Sequence, residues 1–129
     1  MFERSVFAQV GPLDSNLGRL EDWDWLLRFA RIHNLGFVGE PLARIHVSPH
    51  ANPAPVLAAL EALRSKHANQ LDARDRRHFE AALDFEKAAA FYRTGRLGKA
   101  LPAFLMSLVR APFTHPALSA VLHNRAARS

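Results

Sequence analysis

The stretch LGRLEDWDWLLRFARI, residues 17 to 32, sets three carboxylates (Glu21, Asp22, Asp24) and two tryptophans (Trp23, Trp25) into five consecutive positions. A carboxylate at the mouth of a helix, flanked by indole surface that excludes water, can act as general base toward an acceptor hydroxyl, and the indole faces suit a sugar or another ring. The same residues have a structural reading. Asp22 can cap the helix, Glu21 and Asp24 sit on the positive end of its dipole, and Arg28 lies four residues after Asp24 as an intrahelical partner. On that reading Asp24 belongs to the Arg28 face and is dispensable. A second constellation lies in LARIHV, residues 42 to 47. Strand alternation sends Leu42, Arg44 and His46 to one face and Ala43, Ile45 and Val47 to the other. Arg44 and His46 together can grip a diphosphate, or His46 can ligate a metal that bridges one. The alternative there is an edge strand with a solvated polar face.

The elements that must position these groups follow from periodicity. Helical spacing over about Trp23 to His33 sorts Trp23, Leu26, Leu27 and Ala30 onto one face, Trp25, Phe29 and Ile32 onto a second, and Asp24, Arg28 and Arg31 onto the third. A helix with two apolar faces is covered from both sides, and the only strands on offer are GFVG (36 to 39) and LARIHV. The expectation is therefore an α/β fragment over residues 1–52, the C-terminal part of a larger domain or one completed by a partner. Prolines and Asn52 in HVSPHANPAP mark a boundary, after which residues 53–129 read as a helical extension. Helices are predicted over Pro55 to Gln70, over Ala73 to Thr94 with Asp72 as N-cap and Gly95 as stop, over Leu97 to Arg110 with a kink at Pro102, and from Pro116.

Composition narrows the function classes. The chain has 129 residues, of which 49% are hydrophobic and 22% charged, as in an ordinary globular domain. A net charge of +5 favours phosphate-bearing partners. The cations form no dense run and no aromatic-interleaved stripe, which argues against nucleic acid. Without cysteine there is no disulfide, thiolate metal site or Cys nucleophile, which suits a cytoplasmic setting. No apolar run approaches the ~20 residues of a spanning helix, and the N-terminus lacks the apolar core of a signal peptide.

Residues 2 to 46, FERSVFAQVGPLDSNLGRLEDWDWLLRFARIHNLGFVGEPLARIH, resemble the C-terminal third of the catalytic domain of family 2 glycosyltransferases of the GT-A fold, with its Glu-Asp pair before a helix and its later LARYRVH-like strand. The resemblance implies transfer of a sugar from a nucleotide-sugar donor to an acceptor hydroxyl of a glycan or lipid-linked acceptor, with inversion. It implies Asp22, in the pair with Glu21, as the base, Trp23 and Trp25 bordering the acceptor, and Arg44 among the substrate contacts. It places His46 near a diphosphate bound through a divalent metal, Mn or Mg. Leu13, Asp14 and Ser15 depart from the family's Phe-Asp-Glu. No Asp-x-Asp and no βαβ units precede the cluster, so the chain is expected to be inactive alone and to bind no metal by itself.

Two further readings concern the second half. Ala88, Phe91, Gly95, Ala100, Phe104, Ser107 and Pro112 fall as in one tetratricopeptide repeat, which makes a non-catalytic helical interaction protein the alternative. FLMSLVRAPF, with Arg93, Arg96, Lys99 and Arg110 nearby, has the composition of a peripheral membrane contact at an inner membrane face. Apolar helix faces lacking their sheet would also promote self-association.

Overall fold

The computed structural model describes residues 4–34, 36 and 52–112. In chain order these form α1 (Arg4–Val10), α2 (Glu21–Phe29), α3 (Ala54–His67) followed by a 3₁₀ turn (Ala68–Gln70), α4 (Ala73–Arg93) and α5 (Leu97–Arg110). The α/β expectation is corrected here: every regular element among the described residues is helical, and none is a strand. Apart from Gly36, the segments read as strands lie outside the described residues, as does the helix predicted from Pro116.

The covering that the sequence suggested a sheet would supply to α2 comes from helices. Trp23 and Leu27 pack against the main core of Leu60, Leu63, Ala68, Phe79 and Leu83, drawn from α3, the 3₁₀ turn and α4. Trp25 and Phe29 form a second cluster with Val10, against which Val6 of α1 packs. Apolar periodicity shows that a face is buried without saying what buries it; here α1 takes one face and α3 with α4 the other. One core thus spans the boundary expected near residue 52.

Local signals set the α4–α5 hairpin. Asp72, extended at the N-cap, accepts hydrogen bonds from the amides of Arg74 (2.9 Å) and Asp75 (2.8 Å), satisfying two donors that the first turn cannot pair. At the far end Gly95 adopts φ +72°, and the amides of Arg96 and Gly95 donate to the carbonyls of Phe91 and Tyr92 at 2.9 and 3.0 Å, a Schellman closure that needs a residue tolerant of left-handed backbone. α5 returns along α4 with its small residues Ala100, Ala103 and Ser107 buried. It continues past Pro102 as one helix rather than ending there. Across α3, α4 and α5, Glu80 accepts from Arg64 (2.9 Å) and Arg110 (2.8 Å).

The cap carries the first expected outcome. Asp72→Ala lowers unfolding free energy by about 1 kcal/mol while Asp72→Asn is nearly neutral, because the amide oxygen still accepts. Urea midpoints of the two variants check this; an Asp72→Ala midpoint equal to wild type would contradict the assignment.

Candidate functional site

The chemistry-bearing residues of α2 divide between a buried node and an exposed edge. Asp24 has no exposed surface and sits at the centre of the node. Its Oδ2 accepts from Arg28 Nε at 2.9 Å, and its Oδ1 accepts from Lys66 Nζ and His67 Nε2, each at 2.8 Å. Lys66 also reaches Asp14 Oδ2 at 3.0 Å, which ties the 11–20 loop to α3. Arg31 approaches His67 Nδ1 at 2.8 Å and donates a further bond to Gln70. A guanidinium can only donate, so Nδ1 of His67 must be the acceptor and the ring proton sits on Nε2, directed at Asp24. The imidazole is therefore held neutral.

The pair Asp24–Arg28 forms as its four-residue spacing indicates, yet Asp24 is no dispensable surface partner. Burial by itself pushes its carboxyl up; the hydrogen bonds from Lys66, His67 and Arg28 outweigh that and hold it below the ordinary carboxylate range. Lys66 is correspondingly raised, chiefly by its bond to Asp24. His67 is lowered because burial disfavours the imidazolium, helped by the charges of Arg31 and Lys66 and opposed by Asp24. Arg28 has a further role beyond the pair. Its two terminal nitrogens donate to the carbonyls of Val10 and Pro12, while Trp25 Nε1 donates to that of Gly11 at 2.9 Å, so α2 caps the end of α1.

The edge lies at the helix start. Glu21 is half-buried and Asp22 exposed. The helix begins at Glu21, two residues earlier than a cap at Asp22 would require, and Leu20 holds the cap position with no side-chain hydrogen bond. Asp22 instead accepts from the amide of Trp23 at 2.9 Å. Leu20 has φ +60°, unusual for a branched side chain, and is kept there by packing against the main core. Trp23 lines an apolar groove of about 480 Å³ with Leu26, Leu27 and Ala30 of α2, Leu71, and Phe79, Asp75 and His78 of α4. Trp25 is elsewhere: it is 5% exposed, with its ring 5.2 Å from that of Phe7 and 5.5 Å from that of Phe29. Of the two indoles expected to border an acceptor, Trp23 lines the groove and Trp25 is a core side chain. Arg44 and His46 lie outside the described residues. Among the described residues no group of three or more His, Asp or Glu could hold a metal ion.

Lys66, His67 and Asp14 entered the site unannounced. A signal for His67 exists in the sequence: Leu60, Leu63 and His67 fall on one stripe of α3, and a histidine on an apolar stripe needs a buried partner. No protein-family model, curated protein or solved structure matches this chain.

Two outcomes follow from the node. Asp24→Asn destabilises by about 3 kcal/mol, since a buried ionic partner is lost and Lys66 and Arg28 are left facing an amide, whereas Asp22→Asn changes stability by less than about 0.5 kcal/mol. Denaturant melts that rank the two equally would refute the node. The second concerns pH. A histidine whose folded pKa lies below its ordinary value of 6.5 binds protons more readily unfolded, so its contribution to stability is complete above that value and is lost as pH falls toward the folded pKa. Melting temperature therefore drops as pH is lowered below the ordinary histidine value of 6.5. His67→Gln, whose amide donates to Asp24 and accepts from Arg31 without titrating, shows a shallower drop; equal slopes would contradict the assigned tautomer.

Proposed function

We propose that residues 4–34 form the acceptor side of an inverting sugar transferase, with Asp22 as general base and Trp23 as the surface on which the acceptor ring rests. One observation carries the reading: α2 is anchored by the Asp24 node, by α1 and by the α3–α4 core, while Asp22 in its first turn stands exposed beside the open groove of Trp23. A base must be held in place and still reach its substrate. The left-handed Leu20 just before it adds support, because conformations of that kind persist only where surrounding packing enforces them, and they concentrate at functional edges.

In the reaction, Asp22 takes the proton of the acceptor hydroxyl as its oxygen attacks the anomeric carbon. The bond to the departing nucleoside diphosphate breaks on the opposite face, which inverts the centre and leaves the proton on the carboxyl. The apolar groove beside Trp23, within the ~300–1,000 Å³ range of small-ligand sites, offers stacking surface, and Asp75 and His78 offer polar contacts to ring hydroxyls. Donor recognition belongs to residues beyond those described. Arg44 and His46 are the candidates in this chain, where they would contact a donor diphosphate held through a divalent metal, Mn or Mg, that would offset its charge.

Two measurements test the reading. Titrating the chain with oligosaccharide acceptors should shift the indole NMR signal of Trp23 and leave that of the buried Trp25 in place; a shift of neither contradicts the groove. In a polypeptide carrying this segment behind a nucleotide-binding half, Asp22→Asn should reduce turnover by ~10²–10⁴ with an unchanged melting temperature. Near-normal turnover in that variant would leave the helical interaction reading in its place.

A further inference from the structure

Five of the ten exposed large hydrophobic side chains among the described residues lie together on the outer face of α5. Leu97, Leu101, Leu105 and Val109 follow one another at four-residue spacing and are 60, 60, 51 and 76% exposed, with Met106 beside them at 48%. Helical geometry places Gly98 and Pro102 on the same face, so no charged or hydrogen-bonding side chain interrupts it. Surface of this extent is uncommon on a chain that has no use for it.

Charge indicates what covers the face. All 12 acidic residues of the chain lie at or before Glu86; residues 87–129 carry seven Lys and Arg and no acid. Of the described cations in that segment, Arg110 is committed to Glu80 and Asp84, Arg93 pairs with Glu86, and Lys87 lies on the side of α4 toward Leu57 and Leu60 of α3. Arg96, just before α5, and Lys99, whose ammonium lies 6.0 Å from the centre of the Phe91 ring, form no ion pair among the described residues. An apolar row that adjoins the apolar groove of Phe85, Tyr92 and Phe104 on one side and has, among the described residues, unpaired cations at Arg96 and Lys99 is complementary to an anionic surface with an apolar interior. A second copy of the chain would bring cation against cation as the rows met. A folded protein partner would have to meet Arg96 and Lys99 with carboxylates of its own, whereas an anionic bilayer presents negative charge along its whole surface.

We propose that α5 docks this protein peripherally on an anionic lipid surface, its outer row seated at the boundary between headgroups and acyl chains and Arg96 and Lys99 at the level of the phosphates. The helix lies in the plane of the interface. Its 14 residues extend about 21 Å, short of the ~30 Å hydrocarbon core, and no described helix is long and apolar enough to cross a membrane. Apolar burial and electrostatic attraction act together in such binding, so removing either weakens it. The proposal uses none of the residues assigned to sugar transfer and stands or falls separately.

Sedimentation of the full chain with phosphatidylcholine vesicles, with and without phosphatidylglycerol, tests it. The protein should sediment with the anionic vesicles, remain in solution with the neutral ones, and dissociate as salt is raised. Leu101→Glu with Leu105→Glu should abolish sedimentation, and Arg96→Gln with Lys99→Gln should lower partitioning at least about tenfold. All four side chains are exposed, and circular dichroism verifies that the variants stay folded. No binding to anionic vesicles, equal binding to neutral ones, or undiminished binding by the Leu→Glu variant would overturn the proposal. So would a micromolar dimer, dispersed by the Leu→Glu pair, that does not bind lipid, which would assign the face to a second copy.

Discussion

A carboxylate with no exposed surface must be paired where it lies, and Asp24 is that constraint here. Its partners come from α2 itself through Arg28 and from α3 through Lys66 and His67. Apolar contact is non-directional, and two helices with greasy faces could pack at several rotations. Hydrogen bonds to one carboxylate are directional. They select the rotation of α2 about its axis, after which Trp23 and Leu27 meet the main core and Trp25 and Phe29 meet α1 without alternative. The same rotation brings Asp22, two residues earlier, to the surface.

The node also shows how a polar interior can be nearly complete. Each oxygen of Asp24 has a donor, both ring nitrogens of His67 are engaged, and Arg28 spends its remaining donors on two carbonyls at the end of α1. Across the molecule, Glu80 and Asp84 share Arg64 and Arg110 in a second ionic cluster that joins α3, α4 and α5. The two clusters behave oppositely. Asp84 is pushed up by burial, which the nearby arginines only partly offset, whereas Asp24 is held down by its hydrogen bonds. Direct donation into a carboxylate outweighs desolvation where charge proximity alone does not.

Legibility in the sequence tracks how local each cause is. The Asp72 cap, the Gly95 stop and the span of α5 could be read because their signals lie within a few residues of their effects. The two apolar faces of α2 could also be read from spacing, but not their covering, since α1 and α3–α4 bury indole and leucine as well as a sheet would. Asp24 was legible only as a partner of Arg28. Its burial depends on His67, 43 residues away, and no pattern within one helix reports a contact at that distance. At the edge, Trp23 and Trp25 look alike in sequence, and a rotation of two residues about the axis separates a groove wall from a core side chain.

α5 inverts the usual arrangement of a surface helix. Its smallest side chains, Ala100, Ala103 and Ser107, are turned inward, where they let the backbone approach α4, and its largest aliphatic ones are turned outward. A helix that had only to complete this core would place leucine inward and polar residues outward, since that gains burial and avoids exposed apolar surface. The small inner row is explained by the hairpin, in which Phe85 and Phe91 of α4 supply the bulk. Leu97 and Leu101 border an open groove with Phe85 and Tyr92, while Leu105, Met106 and Val109 stand exposed beyond it. An exposed aliphatic row in a segment from which every acidic residue is missing has the composition that the proposed anionic lipid surface calls for.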